Sequence, residues 1–337
     1  MSLEQTKPVV YLSDVEPPPK VLSLWERRKH SQASLIVQFI AEATGTFMYT
    51  YPGVGATAAW LMGNTLQITN LGSGFQIGMG YSVGVAMALI ICLPTSRGHL
   101  NPAFTIYSIL MRKCSVQRGF MLIVAQILGS YIACLLIYLQ YHNLISPVVA
   151  GLKAKGEYDA VMFTPQGPAG ILALYANPTA NLGYIFLNEF VCDFFIAIVI
   201  VAGFDPTNRF CPPAVMPWMI GLSYGIMIWG FAGVGLSANS ARDIGGRIAA
   251  LSIWGMKAGG GHYAAIAALT NIPATIAGGL FYEFVLGDHS RTISDEHCDI
   301  ITANKAHEER IRSGGALAFA SLDGMMESKE DAEMGKV

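Results

Sequence analysis

Long apolar stretches alternate along the chain with short polar interruptions. Six of these stretches come close to the roughly 20 residues that a helix needs to cross a bilayer. They cover residues 34–61, 75–94, 118–141, 184–204, 214–234 and 261–286. The pattern predicts an all-α membrane protein with six transmembrane helices.

Two further apolar segments, residues 98–112 and 235–254, are too short to cross the bilayer fully as helices. Each contains a polar island typical of a helix start: Asn101 precedes Pro102, and Asn239 precedes Ser240. Asparagine is a favoured N-cap, and proline is favoured at the first helical position. Non-helical backbone is tolerated at membrane depth where it lines a cavity or is buried in protein. The sequence therefore predicts two re-entrant half-helices that meet N-terminus to N-terminus and line a pore.

The two halves of the chain, about 34–141 and 184–286, have the pattern of repeats. Glu42 lies in the first apolar stretch of one half and Glu189 in the first stretch of the other. In each half an Asn-x-Ala island follows two stretches later. Since three spans per repeat is an odd number, the second repeat must be inverted, which is a recurring design of membrane transport proteins.

Composition agrees with a membrane protein and excludes other classes. Hydrophobic residues make up 53% of the chain and charged residues 13%, whereas soluble domains have about 25% charged residues. The net charge of −2 gives no indication of nucleic-acid binding. The six cysteines have no paired spacing, so we interpret them as small apolar residues. Without a nucleotide-binding loop, a nucleophile pattern or metal-ligand spacing, we expect neither an enzyme nor a cofactor.

The polar ends, residues 1–33 and 288–337, are expected to be cytoplasmic tails, the second one disordered. An even number of spans puts both tails on one side of the membrane. Basic residues concentrate on that side, as the positive-inside rule requires: Arg97, Arg112, Lys113, Arg118 and Arg209. Three basic residues break the rule: Arg242, Arg247 and Lys257. The segment 142–183, rich in proline and glycine, is expected to be an extracellular loop that either folds over the pore mouth or packs loosely.

Two motifs resemble those of the major intrinsic protein family, the aquaporins: Gly-His-Leu-Asn-Pro-Ala at residues 98–103 and Asn-Ser-Ala-Arg at residues 239–242. The six spans and the two glutamates are part of the same resemblance. The resemblance covers residues 34–287 and implies the aquaporin-like fold, a homotetramer and a multi-pass protein, with the plasma membrane as the default location. It implies a central constriction at Asn101, Pro102, Ala103, Asn239, Ser240 and Ala241. The asparagines are expected to cap their helices and to point their NH₂ groups into the pore, where the positive helix N-termini repel cations. In the resemblance Glu42, Glu189 and His99 support the re-entrant backbone.

A selectivity filter follows from the same resemblance, at Tyr81, Leu236, Arg242 and a position in the fifth stretch. That position is Ile228, or Met227 if a one-residue gap falls elsewhere. Three largely apolar side chains facing one arginine suit a molecule with a carbon backbone on one side and hydroxyl groups on the other. Known glycerol channels tend to have two aromatic residues here, so Leu236 predicts a wider filter.

Asp243 and Arg247 resemble the aquaglyceroporin subfamily, and Pro273 agrees with it. The two charged residues are four apart on one helix face and can pair, so the alternative is that they only stabilise the helix. The resemblance implies a passive channel for glycerol and water, with urea and hydrogen peroxide as further candidate solutes. The alternatives are a transporter that uses Glu42 and Glu189 as proton sites, or a water-selective or closed-pore member of the same family. In the second motif Ser240 replaces the usual proline.

Overall fold

The structure is a computed structural model that describes residues 9–16, 19–31 and 34–313. The remaining residues of the two expected tails, 1–8, 17–18, 32–33 and 314–337, lie outside the described residues. The described chain is helical with short connections. Its helices are α1 (Leu12–Val15), α2 (Lys20–Ser31), α3 (Ser34–Leu66), α4 (Gly74–Ser96), α5 (Pro102–Leu110), α6 (Val116–Gln140), α7 (His142–Lys155), α8 (Tyr158–Val161), α9 (Leu182–Phe204), α10 (Met216–Phe231), α11 (Ser240–Trp254), α12 (Tyr263–Leu269), α13 (Asn271–Phe281) and α14 (Asp295–Arg312).

Five segments of the described chain are long and apolar enough to cross a membrane. They are Gly74–Ser96, Val116–Gln140, Leu182–Phe204, Met216–Val234 and Tyr263–Leu286. The helix α3 has 33 residues, more than any of these, but polar residues such as Gln38 and Glu42 lower its hydropathy. With α3 as the first span, the six expected apolar stretches correspond to six long helical segments. The all-α fold class with two additional half-helices is confirmed.

The half-helices are α5 and α11. Their 9 and 15 residues extend over about 14 and 22 Å at 1.5 Å per residue. Both are shorter than the hydrocarbon core of roughly 30 Å. Each follows a non-helical approach, residues 97–101 and 235–239. Each half of the chain therefore places one helix start within the bundle.

Small residues allow the helices of each half to approach closely. A Cβ atom on Gly129 of α6 would lie 2.1 Å from the carbonyl oxygen of Ala43 in α3. A Cβ atom on Gly278 of α13 would lie 2.4 Å from the carbonyl oxygen of Phe194 in α9. Small residues at such contacts are typical of membrane helices, which gain stability from close packing. The first and third spans of both halves thus meet through a glycine against a backbone carbonyl.

The segment 142–183 is a packed part of the bundle. It contains α7, α8 and a short 3₁₀ turn, Pro168–Ile171. Met162, Ile171 and Leu172 are completely buried, in a core cluster that also includes residues of α3, α6 and α11. The loosely packed alternative is therefore wrong, since the segment supplies apolar side chains to the core.

The described residues before 37 and those from 293 to 313 form a separate compact unit. Within it, Arg310 of α14 donates to both carboxylate oxygens of Asp14, at 2.8 and 3.0 Å. The guanidinium also lies over the Tyr11 ring, 3.9 Å from its centroid. Hydrogen bonding to Arg310 lowers the pKa of Asp14. Segments from opposite ends of the chain thus form one paired element.

The expectation of a disordered C-terminal tail is wrong for residues 295–312, which form α14. Acidic residues occupy its first turn and basic residues its last turn. This distribution matches the partial charges at the two ends of a helix. Polar composition alone therefore misled the interpretation of this segment.

We expect the variant Gly129→Ala to be less stable than the unchanged protein. Its new Cβ would collide with the Ala43 carbonyl and force α6 away from α3, at a cost of about 1–3 kcal/mol for overpacking. Thermal unfolding of the detergent-solubilised protein, followed by gel filtration after heating, measures this loss. Gly151→Ala in α7 is the matched control because nothing lies within 4 Å of its Cβ. Equal unfolding midpoints for the two variants would contradict the packing argument.

Candidate pore and selectivity filter

Each half-helix is capped by the asparagine of its motif. The Oδ1 atom of Asn101 accepts a hydrogen bond from the Ala103 N–H at 2.9 Å. The Oδ1 atom of Asn239 accepts from the N–H groups of Ala241, at 2.9 Å, and Arg242, at 3.3 Å. These bonds use donors that the first turn of a helix leaves without intrahelical partners. Each amide is thereby fixed at the start of its own helix.

The NH₂ groups of the two asparagines donate across the junction between the halves. Asn239 Nδ2 donates to the Leu100 carbonyl at 3.0 Å, and Asn101 Nδ2 donates to the Ala238 carbonyl at 3.5 Å. We expected both NH₂ groups to serve the pore. The structure uses one donor of each amide for the junction, which leaves the second N–H of each group.

The residues that accept these bonds have an unusual backbone. Leu100 and Ala238, each just before its asparagine, have φ angles of 54° and 57°. The left-handed conformation costs a residue with a side chain roughly 1–2 kcal/mol. It persists where surrounding contacts determine the backbone completely.

Two fully buried glutamates supply those contacts. An oxygen of Glu42 accepts from the Leu100 N–H. Glu189 accepts from the N–H groups of Ala238, at 2.8 Å, and Ser237, at 2.7 Å. Both side chains are 0% exposed. The two carboxyl groups therefore hold the two left-handed turns at the N–H, while the opposite asparagine holds them at the carbonyl.

The third span of each half adds a buried amide that the sequence analysis missed. Gln126 Nε2 donates to Glu42 at 2.7 Å and to Thr105 Oγ1 at 3.0 Å. Asn271 Nδ2 donates to the Ala238 carbonyl at 3.4 Å. A side-chain amide within an apolar stretch, in the third span of each half, is the signal that would have found both residues. His99 is also buried, and its Nδ1 atom lies 3.2 Å from Thr105 Oγ1.

Arg242 is fixed by two contacts from outside its own helix. Its Nε atom donates to the Tyr81 hydroxyl at 2.8 Å, and Nη1 donates to the Leu172 carbonyl at 2.7 Å. The Tyr81 ring fits against α3 because a Cβ on Gly53 would lie 2.3 Å from it. We expected Tyr81 to face the arginine as part of an apolar wall. It instead binds the arginine through its hydroxyl group.

The expected filter residues surround one cavity, which we call the arginine-side cavity. It has a volume of about 610 Å³. Its lining includes Tyr81, Ile228, Leu236, Arg242 and Asn239. Met227, the alternative to Ile228, is buried in a core cluster instead. Of these two candidates, Ile228 is therefore the one that lines the cavity.

A second, smaller cavity lies on the other side of the junction, and we call it the histidine-side cavity. Its volume is about 30 Å³. Gly98, His99 and Leu100 line it together with Phe104. The two re-entrant loops thus contribute mainly to different cavities, since Leu236, Ser237 and Ala238 line only the arginine-side cavity and Asn239 lines both.

Asp243 and Arg247 form a buried ion pair away from the lumen. Arg247 donates to both carboxylate oxygens, with distances of 2.5 Å for Nη2 and 3.2 Å for Nε. The guanidinium also donates to the carbonyls of Leu174 and Gly259, each at 3.1 Å. Neither charged residue is among those that line the arginine-side cavity. The pair stabilises α11, as the alternative interpretation held, and in addition it connects α11 to two loops.

Three other expected residues have structural positions that the sequence did not specify. Pro273 is exposed in the first turn of α13 and accounts for the break after α12, because it has no N–H to bond to Leu269. Ser240 is the first residue of α11, and its buried hydroxyl has no hydrogen-bond partner among the described residues. Lys257, which broke the charge rule, pairs with Asp159 at 2.8 Å.

Comparisons with known proteins agree with this geometry. A family profile described as "Major intrinsic protein" matches residues 29–268. A relative named "Aquaporin-3" from Laccaria bicolor is 46% identical over 302 residues, which are 89% of this chain and 92% of the relative. A "Glycerol uptake facilitator protein" from Escherichia coli is 30% identical over 260 residues, 75% of this chain and 89% of the relative. The crystal structure of an aquaglyceroporin from Plasmodium falciparum has the same fold, with a TM-score of 0.63, 22% identity, and coverage of 75% of this chain and 97% of that one.

Replacing one partner of the buried ion pair should destabilise the protein more than replacing both partners. We expect Arg247→Gln to cost about 3–5 kcal/mol because it leaves the Asp243 carboxylate buried without its partner. The double variant Asp243→Asn with Arg247→Gln should unfold at a higher temperature than the single variant. Arg291→Gln is the control, since its pair with Asp288 is exposed and 3.8 Å long. A double variant as unstable as Arg247→Gln would contradict this account.

Proposed function

The chain belongs to the major intrinsic protein family, whose members are membrane channels and not enzymes, and we propose that its pore conducts glycerol together with water. The observation that carries the proposal is the mixed wall of the arginine-side cavity. Ile228 and Leu236 contribute apolar surface, and Arg242 and Asn239 contribute hydrogen-bond donors. Such a wall suits a solute that has hydroxyl groups on a short carbon chain.

The size of the cavity supports the same proposal. A water molecule takes up roughly 30 Å³ in the liquid, whereas the arginine-side cavity has about 610 Å³. The arginine-side cavity is therefore large enough to hold a small polyol together with several water molecules. Leu236, in place of the aromatic residue expected in a glycerol channel, contributes to this volume.

The relatives support both permeants. The Escherichia coli relative is named as a facilitator of glycerol uptake, and the Laccaria bicolor relative is named an aquaporin. We carry both activities over to this chain as a proposal. Urea and hydrogen peroxide remain further candidates because they are small and neutral.

Exclusion of cations follows from three groups with positive charge or potential. The N-termini of α5 and α11 meet at the junction, and each carries about half a positive charge. The Arg242 guanidinium adds a full charge at the wall of the arginine-side cavity. A neutral polyol can exchange its water hydrogen bonds for bonds to these donors, but a cation finds no compensating negative group there.

The contacts of the two glutamates disfavour the alternative of a proton-coupled transporter. Glu42 and Glu189 accept hydrogen bonds from the re-entrant backbone. Neither side chain is among the residues that line the two cavities. We assign them to the support of the pore, and transport then follows the solute gradient alone.

We further propose that the channel is a homotetramer in the plasma membrane with both termini in the cytoplasm. The charge distribution supports this orientation, since Lys113 lies between α5 and α6 and Arg118 lies in the first turn of α6, in a connection that the number of spans assigns to the cytoplasm. The tetramer is carried over from the family. Native mass spectrometry tests the assembly, and protease access to terminal tags in intact cells tests the orientation. A monomer, or tags cleaved from outside, would overturn the respective proposal.

Stopped-flow light scattering on proteoliposomes tests the proposed function. Vesicles that contain the protein should equilibrate both glycerol and water faster than empty vesicles, because the wide mixed lumen admits both. The glycerol rate should not respond to an imposed pH gradient. Fast water without fast glycerol would indicate a water-selective member, and rates equal to those of empty vesicles would indicate a closed pore.

The variant Arg242→Ala tests the assignment of the filter in the same vesicles. Loss of the guanidinium should allow leakage of a small cation such as potassium, which the unchanged protein excludes. Arg209→Gln is a control because this side chain bonds to exposed Thr292 and not to the lumen. Unchanged exclusion of potassium in Arg242→Ala would remove Arg242 from the filter.

A further inference from the structure

The two cavities meet at four shared lining residues. Tyr49, Val85, Tyr224 and Asn239 line both the arginine-side and the histidine-side cavity. Tyr49 comes from α3, and Tyr224 comes from α10. The lumen therefore narrows where these residues stand between its two wider parts.

The narrowing does not coincide with the filter. The arginine-side cavity continues from Arg242 and Leu236 as far as Asn239 and Tyr224 without interruption. The lumen is thus open at the level of Arg242 and interrupted at the level of Asn239. The histidine-side cavity beyond the interruption has about 30 Å³.

Both tyrosines are fixed against the junction. The Tyr49 hydroxyl donates to the Leu100 carbonyl at 3.4 Å, the same carbonyl that accepts from Asn239. Tyr224 lies in the same buried cluster as Tyr49, Leu100 and Ala238. Tyr49 is 3% exposed and Tyr224 8% exposed, so neighbouring side chains pack both residues in place.

We propose that Tyr49 and Tyr224 narrow the central constriction, at the level of the paired asparagines, and that these two rings set the largest solute that the channel passes. A phenol ring is rigid and has two side-chain torsion angles, so two packed rings define a passage of fixed width. Their hydroxyl oxygens can accept hydrogen bonds from a passing polyol. The inference deepens the proposed glycerol conduction, on which it depends for the class of solute.

This constriction predicts discrimination by cross-section. Glycerol and other unbranched polyols can pass lengthwise between the two rings. A branched polyol such as pentaerythritol has hydroxymethyl groups on every side of its central carbon, so its cross-section is larger in every orientation. It should enter the arginine-side cavity and stop at the tyrosines.

Proteoliposome uptake of glycerol and pentaerythritol tests the proposal in the full-length protein. We expect Tyr224→Leu and Tyr49→Leu each to raise the pentaerythritol rate about tenfold, which corresponds to a barrier lower by roughly 1.4 kcal/mol. Leu236→Ala is the matched control because it enlarges the lumen at the filter. It should change the pentaerythritol rate less than about twofold, since a barrier beyond it still limits passage.

Tyr224→Phe keeps the ring and removes only the hydroxyl, so it should exclude pentaerythritol as the unchanged protein does. A raised rate in this variant would overturn the assignment of the size limit to the ring. An increase in Leu236→Ala, or none in the two leucine variants, would also overturn it. All variants are compared at equal amounts of reconstituted protein that elutes as a single species.

The glycerol rate of the unchanged protein separates this inference from the proposed function. If that rate equals the rate of empty vesicles, glycerol conduction is refuted. Leucine variants that then admit glycerol would still support the constriction. If the unchanged protein conducts glycerol and no tyrosine variant admits pentaerythritol, the proposed function stands and the constriction is refuted.

Discussion

Two residues in a left-handed conformation, Leu100 and Ala238, determine whether the two halves of the bundle can meet. Each exposes an N–H and a carbonyl at a depth where water and lipid cannot satisfy them. A glutamate from the first span of the same half accepts from the N–H, and the asparagine of the opposite half donates to the carbonyl. A buried backbone group without a partner would cost about 1–3 kcal/mol. Each carbonyl also accepts a bond from its own half, Leu100 from Tyr49 and Ala238 from Asn271, so the opposite asparagine adds the bond that joins the two halves.

The junction is nearly symmetric, but its surroundings are not. The first half supports its glutamate with Gln126 and Thr105, whereas the second half places Asn271 beside its re-entrant turn. The second half-helix is also longer and carries two arginines. Both are held by carbonyls of the segment 142–183, Arg242 by Leu172 and Arg247 by Leu174. This segment is therefore a structural part of the proposed filter, and its tight packing fixes the position of the charge.

The parts of the fold that depend on local sequence could be predicted. The length of each apolar stretch predicts a transmembrane helix, and the capping preference of Asn101 and Asn239 predicts where the half-helices begin. The junction bonds could not be derived in the same way, since they join residues 137 and 139 positions apart in the chain. The helix α7 was missed because Pro147 and the neighbouring glycines indicated a loop, while burial of Ile145 and Val148 stabilises it.

The position of Tyr49 and Tyr224 at the lumen could not be predicted for a related reason. Tyr49 and Tyr224 lie among apolar residues, and only the rotation of α3 and α10 in the packed bundle brings their rings to the lumen. That rotation is a tertiary property, because the apolar stretches are hydrophobic on every side and no period distinguishes the faces. One local signal exists: Tyr49 follows Glu42 by seven residues and so lies on the same helix face, two turns along.

The proposed channel separates discrimination by charge from discrimination by width. Positive potential comes from Arg242 and from the two helix N-termini, all of which are fixed by backbone contacts. The width of the lumen at the filter is set by other side chains, such as Leu236 and Ile228, which take no part in these backbone contacts. A smaller residue at position 236 therefore widens the filter without displacing the guanidinium. The next narrow part of the lumen, at the tyrosines, then limits the size of the solute. There the Tyr49 hydroxyl donates to the Leu100 carbonyl, which also accepts from Asn239. Width at that level is coupled to the integrity of the junction itself, which makes it the more costly position to change.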